Sequence, residues 1–190
     1  MLMNRIMGVF TFRTDVYKEV EDDASFTSTA WMLVAIVAFL NQLGSQSAEG
    51  LGRIVIASVI GTVFAVVGFA LGAMIISWVG REVFKAEVTF DELVRTLGLA
   101  YVWQAVAVLG ILGAISPALN CITAPIRIVA VLLALVAWFM AAKEALDLEW
   151  VQTIVTVAIG FVVVVILTMV ATAVIGLLGF GAAAVTGAFG

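Results

Sequence analysis

The sequence contains no histidine. That absence removes the commonest general base, the commonest metal ligand and the usual axial ligand of haem-like cofactors. A single cysteine, Cys121, excludes an intramolecular disulfide and a thiolate metal cluster. It reads as a small apolar loop residue, with an intermolecular bridge as the alternative. Charge is scarce as well: 9 Lys+Arg and 13 Asp+Glu in 190 residues. None of these lies in 54–80, 96–126 or 150–190. No span core therefore holds the paired aspartates of an intramembrane aspartyl protease, or the membrane-depth carboxylate of ion coupling. Without histidine, a serine–histidine protease is excluded too. No P-loop or dinucleotide glycine fingerprint occurs.

What is present is apolar. Hydrophobic residues make up 64% of the chain, and the mean hydropathy is +1.24. A soluble domain needs a charged surface, which this composition cannot supply. Uncharged runs of about 20 residues cross a hydrocarbon core of roughly 30 Å. Barrel strands would alternate apolar and polar residues, and these runs do not. The expectation is an all-α membrane protein: a five-span helical bundle with an N-terminal interfacial amphipathic helix. Residues 1–25 form the cytoplasmic amphipathic segment, 26–178 the transmembrane domain, and 179–190 a Gly/Ala-rich tail. The first long apolar run begins only near Phe26, behind Asp15, Glu19, Glu21, Asp22 and Asp23. A signal peptide has the opposite order, so no cleavage is expected.

Over 4–21 the spacing of Ile6, Val9, Phe10, Val16, Tyr17 and Val20 predicts one continuous helix with an apolar stripe. Arg13 falls within that stripe, where its stem can snorkel to a lipid phosphate and make it an interfacial anchor. The helix either lies in the membrane interface or packs on the cytoplasmic end of the bundle. The spans are expected at 26–43, 54–79, 96–115, 126–142 and from Val151 towards Leu178. Thr89-Phe90-Asp91-Glu92 is a capping box that starts the third helix in water. Asp91 and Arg95 then form an i,i+4 surface pair. Ser116-Pro117 ends that helix, and Pro125 suits the first turn of the next. Trp150 marks an interface.

Seven basic residues (Arg5, Arg13, Lys18, Arg81, Lys85, Arg95, Lys143) fall on one side of the bundle, and Arg53 and Arg127 on the other. The positive-inside rule puts the seven in the cytoplasm, with the N-terminus in and the C-terminus out. Twelve acids share that side and make it net −5, a poor surface for nucleic acid. Candidate contact residues are Gly61, Gly68 and Gly72 in the second span, for packing within the chain or against another subunit. Gln104, beside Trp103, is the most isolated polar side chain in any span. It either bonds a neighbouring helix or meets a solute.

Two stretches carry a family resemblance. One is Val88-Thr89-Phe90-Asp91-Glu92-Leu93 leading to Leu97-Gly98-Leu99-Ala100-Tyr101. The other is Val136-Ala137-Trp138 leading to Lys143-Glu144-Ala145-Leu146-Asp147-Leu148. With the order of segments, the chain resembles the prokaryotic branch of the Yip domain family, the Ypt/Rab-interacting membrane proteins. Members commonly have a proline shortly after the tyrosine of the third span; here Val102-Trp103-Gln104-Ala105 follows Tyr101. The resemblance implies a membrane fold and a non-catalytic role, with no catalytic residues to transfer.

The expected function is therefore a non-catalytic scaffold or accessory subunit acting through helix–helix contacts in a membrane complex. The alternative is a small transporter or channel-like protein. Expected partners are membrane lipids and other integral membrane subunits or a second copy, in a prokaryotic cytoplasmic membrane. No cofactor is expected; a lipid or carotenoid in an apolar groove is the one ligand class left open.

Overall fold

The protein is described from a computed structural model, which covers residues 2–45 and 51–177. The tail expected at 179–190 lies outside these residues. Among the described residues the chain is helical throughout. Two short helices come first, α1 (Leu2–Phe10) and α2 (Asp15–Asp22). Long helices follow: α3 (Phe26–Ser45), α4 (Leu51–Phe84), a composite third rod, α7 (Asn120–Leu146) and α8 (Trp150–Leu177). The composite rod is α5 (Phe90–Ala100), a 3₁₀ stretch (Tyr101–Leu109) and α6 (Gly110–Ile115).

Among the described residues, four stretches are long and apolar enough to cross a membrane: Phe26–Gly44, Ser58–Phe84, Phe90–Gly113 and Asn120–Leu146. A shorter apolar stretch, Trp150–Val162, opens α8. Phe64, Val131, Leu132, Val151 and Phe161 are exposed, large apolar side chains of the kind that suits a hydrocarbon surrounding. Inside, close approach depends on small residues. On α7, Ala130, Ala134, Ala137, Ala141 and Ala145 form a buried seam. On α5, Gly98 meets Ala30 and Val34 of α3, so that an added Cβ would lie 3.2 Å from the Ala30 Cβ. Lipid chains are as apolar as leucine, so such faces hold helices together by packing rather than by water exclusion.

The predicted start and stop of the third rod are both found. Glu92 N donates to Thr89 Oγ1 at 3.2 Å, and Thr89 N to Glu92 Oε2 at 2.7 Å, a complete capping box. Ser116 is extended, with φ −147 and ψ 121, as a residue before proline prefers. Three other expectations are corrected. The helix predicted over 4–21 is two helices, because Phe12 adopts a left-handed φ of 56 and reverses the chain. Pro125 is inside α7 rather than in its first turn, since that helix begins at Asn120. For the same reason Cys121 is a helical residue, exposed on the first turn of α7, and not a loop residue.

Nine residues of 3₁₀ helix are unusual, because such runs seldom exceed three or four. The backbone has the matching dihedrals at both ends, with φ −60 and ψ −17 at Tyr101 and φ −58 and ψ −18 at Leu109. No proline interrupts it. In a 3₁₀ helix the side chains at i and i+3 eclipse, so Tyr101, Gln104, Ala107 and Gly110 form one straight row. That row meets α3: Gln104 bonds Asn41, and Ala107 and Gly110 abut Gly44. A methyl at Gly44 would overlap the Ala107 carbonyl oxygen, and one at Gly110 would overlap the Gly44 carbonyl oxygen. Backbone touches backbone here, which only glycine permits.

Candidate functional site at the charged end of the bundle

The charged residues gather where the α1–α2 hairpin, the start of α5 and the α7–α8 turn come together. The hairpin forms because Val9, Val16, Tyr17 and Val20 must be buried and the turn at Thr11–Thr14 lets both short helices present them inward. Of the two placements left open for the N-terminal segment, these four residues are packed on the bundle. Trp103 anchors the turn: Phe10 meets its ring edge-on at 4.7 Å between centroids, and Phe12 stacks on it at 5.6 Å.

Arg95 closes the other end of the hairpin. It is not in the expected surface pair with Asp91. Its residue is only 7% exposed, and its Nε donates to the Glu21 carbonyl oxygen at 3.0 Å, with Nη2 reaching the same oxygen. Nη1 donates to Thr27 Oγ1 at 3.2 Å. Glu21 lies in the last turn of α2, where carbonyls lack helical partners and the helix dipole favours a cation. One guanidinium on α5 thus caps α2 and holds the start of α3.

Arg5 ties α1 to the same place. Its Nε and Nη2 donate to Glu19 Oε1 at 3.0 and 2.9 Å, and Nη2 also to Asp23 Oδ2 at 2.9 Å. Asp23 Oδ1 accepts from Ser25 Oγ at 2.5 Å. The Ser25 hydroxyl, then Arg5, hold the Asp23 carboxyl below the usual aspartate range. Glu21 shifts the other way: burial pushes its carboxyl up, against the opposing hydrogen bond from Lys18. Lys18 Nζ reaches Glu21 Oε2 at 3.1 Å and Asp147 Oδ2 at 3.5 Å, linking α2 to the α7–α8 turn. Tyr17 is fully buried and burial pushes its phenol above the usual range. Its hydroxyl finds no partner among the described residues.

The sequence-derived candidates are dispersed. Arg13 lies in the hairpin turn and not on a helical stripe; its exposed guanidinium pairs with Asp15. Trp150 opens α8, with the Lys143 ammonium 5.6 Å from its ring centroid. Gln104 accepts a hydrogen bond from Asn41 Nδ2 at 3.0 Å, joining the third rod to α3. The glycines of α4 divide. An added Cβ at Gly61 would lie 2.5 Å from Gln42 Oε1, so this glycine packs within the chain. Gly72 is buried. An added Cβ at Gly68 would meet nothing within 4 Å. On α8, Gly160 faces Ile76 of α4.

Residues that sequence reading missed are Gly44, Gly110, Arg5, Arg95 and the alanine seam of α7. Only the seam carried a signal: alanines at 130, 134, 137, 141 and 145 recur at helical spacing.

One family's sequence model, described as the Yip1 domain, matches residues 7–186. Comparison with curated proteins and with solved structures finds no match.

Proposed function

We propose, because this chain belongs to the Yip1 domain family, that it serves as a non-catalytic scaffold or accessory subunit that meets other integral membrane subunits, or a second copy of itself, through helix–helix contacts. We place it in the prokaryotic branch of that family, in a cytoplasmic membrane. Five spans are inferred, with α8 crossing as the fifth: its 28 residues extend about 42 Å at 1.5 Å each, enough to span with tilt. The basic asymmetry supports an N-terminus in the cytoplasm. No cofactor of its own is assigned.

The disposition of Gln104 favours assembly over transport. It is the isolated amide at membrane depth, and a transporter would aim it at a solute. Here its oxygen is taken up by Asn41, so the pair binds α3 to the third rod. The hydroxyls of Thr62, Thr96 and Thr156 likewise bond back to carbonyls of their own helices. Gly68 supplies a place for another helix, since it faces open space flanked by exposed Phe64, Val67 and Leu71.

The test is mild-detergent purification with mass spectrometry of what co-migrates. Gly68→Leu should weaken co-purification while membrane insertion persists, because leucine favours the bilayer and a bulky side chain blocks close approach. A wild-type chain that runs alone in nanodiscs and moves a solute, with flux altered by Gln104→Ala, would favour the transporter instead.

A further inference from the structure

The α7–α8 turn builds a groove that the hairpin does not fill. Asp147 ends α7 in a left-handed conformation, φ 47 and ψ 31, and α8 starts three residues later. From that turn α8 packs along α4, where Gly160 meets Ile76 and Thr156 lies beside Gly80. The two helices therefore leave a cleft at the foot of the turn. It is an open groove of about 530 Å³ lined by Lys143, Asp147, Leu148, Glu149, Trp150 and Val151.

Its chemistry is dipolar. The Lys143 ammonium lies over the Trp150 ring and has no carboxylate partner among the described ion pairs, although Glu144 is its neighbour in sequence. Asp147 is exposed, and among the described residues its ion-pair partner is the Lys18 ammonium at 3.5 Å. Glu149 is exposed and also lines the groove. Leu148 and Val151 give the groove an apolar part, and exposed apolar residues continue along both helices, Leu132, Leu135 and Val136 on α7 and Ile154 and Val155 on α8. A ligand that fits has a phosphate for Lys143, an ammonium for Asp147 and Glu149, and hydrocarbon for the exposed apolar residues of the two helices. The indole marks the headgroup level.

We propose that this groove holds a zwitterionic aminophospholipid, a phosphatidylethanolamine, with its phosphate on Lys143, its primary ammonium between Asp147 and Glu149, and its chains along α7 and α8. An anionic headgroup without an amine would meet two carboxylates with one free cation. A quaternary ammonium could not donate hydrogen bonds to those carboxylates. The site does not depend on the scaffold role, which can fail while the site stands.

The experiment is native mass spectrometry of the full chain, released from micelles containing equal amounts of phosphatidylethanolamine, phosphatidylglycerol and phosphatidylcholine. Phosphatidylethanolamine should be retained about tenfold over either other lipid, and Lys143→Gln should lower the retention of all three about tenfold, since each carries the phosphate and one charge-assisted hydrogen bond to it is lost. Asp147→Asn with Glu149→Gln, both on exposed side chains, should shift retention towards phosphatidylglycerol, which gives a second readout if the Lys143 variant misfolds. Excess soluble glycerophosphoethanolamine should not displace the lipid. Equal retention of the three lipids, undiminished lipid retention in a folded Lys143→Gln variant, no shift in the acidic double variant, or displacement by the soluble headgroup would overturn the assignment.

Discussion

Replacing Gly44 by alanine adds one methyl group where two backbones already touch. The new Cβ would overlap the Ala107 carbonyl oxygen and lie 2.8 Å from the Val108 Cα. Neither atom can rotate aside as a side chain would, so α3 and the 3₁₀ stretch must separate along their contact. Overpacking costs about 1–3 kcal/mol, and a clash confined to backbone belongs at the upper end. Alanine returns up to about 1 kcal/mol through its better helix propensity. The net expectation is destabilisation by about 2 kcal/mol. Gly68→Ala is the matched control, with the same added methyl meeting nothing within 4 Å. There only the propensity gain of up to about 1 kcal/mol remains, so that variant should equal or exceed the wild type. The two substitutions should thus differ by about 3 kcal/mol, roughly a hundredfold in folding equilibrium. Equilibrium unfolding of the purified chain by transfer from mild detergent into dodecyl sulfate, followed by tryptophan fluorescence, measures both. Equal stability of Gly44→Ala and wild type, or greater damage from Gly68→Ala, would refute the packing described for α3 and the third rod.

Arg95→Gln should leave the Glu21 carbonyl without its guanidinium and loosen the hairpin by about 1.5–3 kcal/mol, the worth of a charged hydrogen bond; trypsin cleavage at Arg13 and Lys18 should quicken while the spans stay protected, and unchanged cleavage would count against the cap. Glu21 has its folded pKa raised by burial above the ordinary 4.5, so the folded state holds that proton more tightly; its contribution is full below 4.5 and is lost as pH climbs through the raised value. Glu21→Gln should flatten that decline in a pH series of unfolding curves, and an identical slope would reject it. Asp23, held below its ordinary 3.8, acts in the opposite sense, with stability present above 3.8 and lost on further acidification. A reporter active only in the cytoplasm should give signal when fused at Lys85 and none when fused after Gly190; an active C-terminal fusion would mean an even number of spans or an inverted chain.

Apolar runs made the long helices legible because lipid forces a chain to satisfy its backbone internally over a fixed length. Thr89 with Glu92, and Ser116 with Pro117, were legible because capping and proline sterics act over a few residues. The hairpin was not. Val9, Val16, Tyr17 and Val20 keep helical period across the turn, and the reversal rests on Phe12 at positive φ, a conformation that no sequence signal assigns to phenylalanine. Lys85 and Asp147 end α4 and α7 in the same left-handed way where glycine would have announced it. Arg95 was read as a surface residue because Asp91 precedes it by four. Its real partner is a carbonyl 74 residues away in sequence, and backbone acceptors carry no residue signature. Gly44 carried no signal, since the close approach of another backbone depends on the whole bundle. Of the glycines chosen from α4, the spacing was visible but not the direction each one faces.

The 3₁₀ stretch of the third rod also sets a rotational phase. An α-helix turns about 100° per residue and a 3₁₀ helix about 120°, so rewinding Tyr101–Leu109 as α-helix would rotate everything after it by roughly 180° and shorten the rod by about 4.5 Å. Gly110 would then point away from α3, and the Leu112 side of α6 would take its place. The backbone contact between Gly44 and Gly110 can close in only one of the two windings. The contact thus fixes the rotational phase of the rod's far end relative to α3.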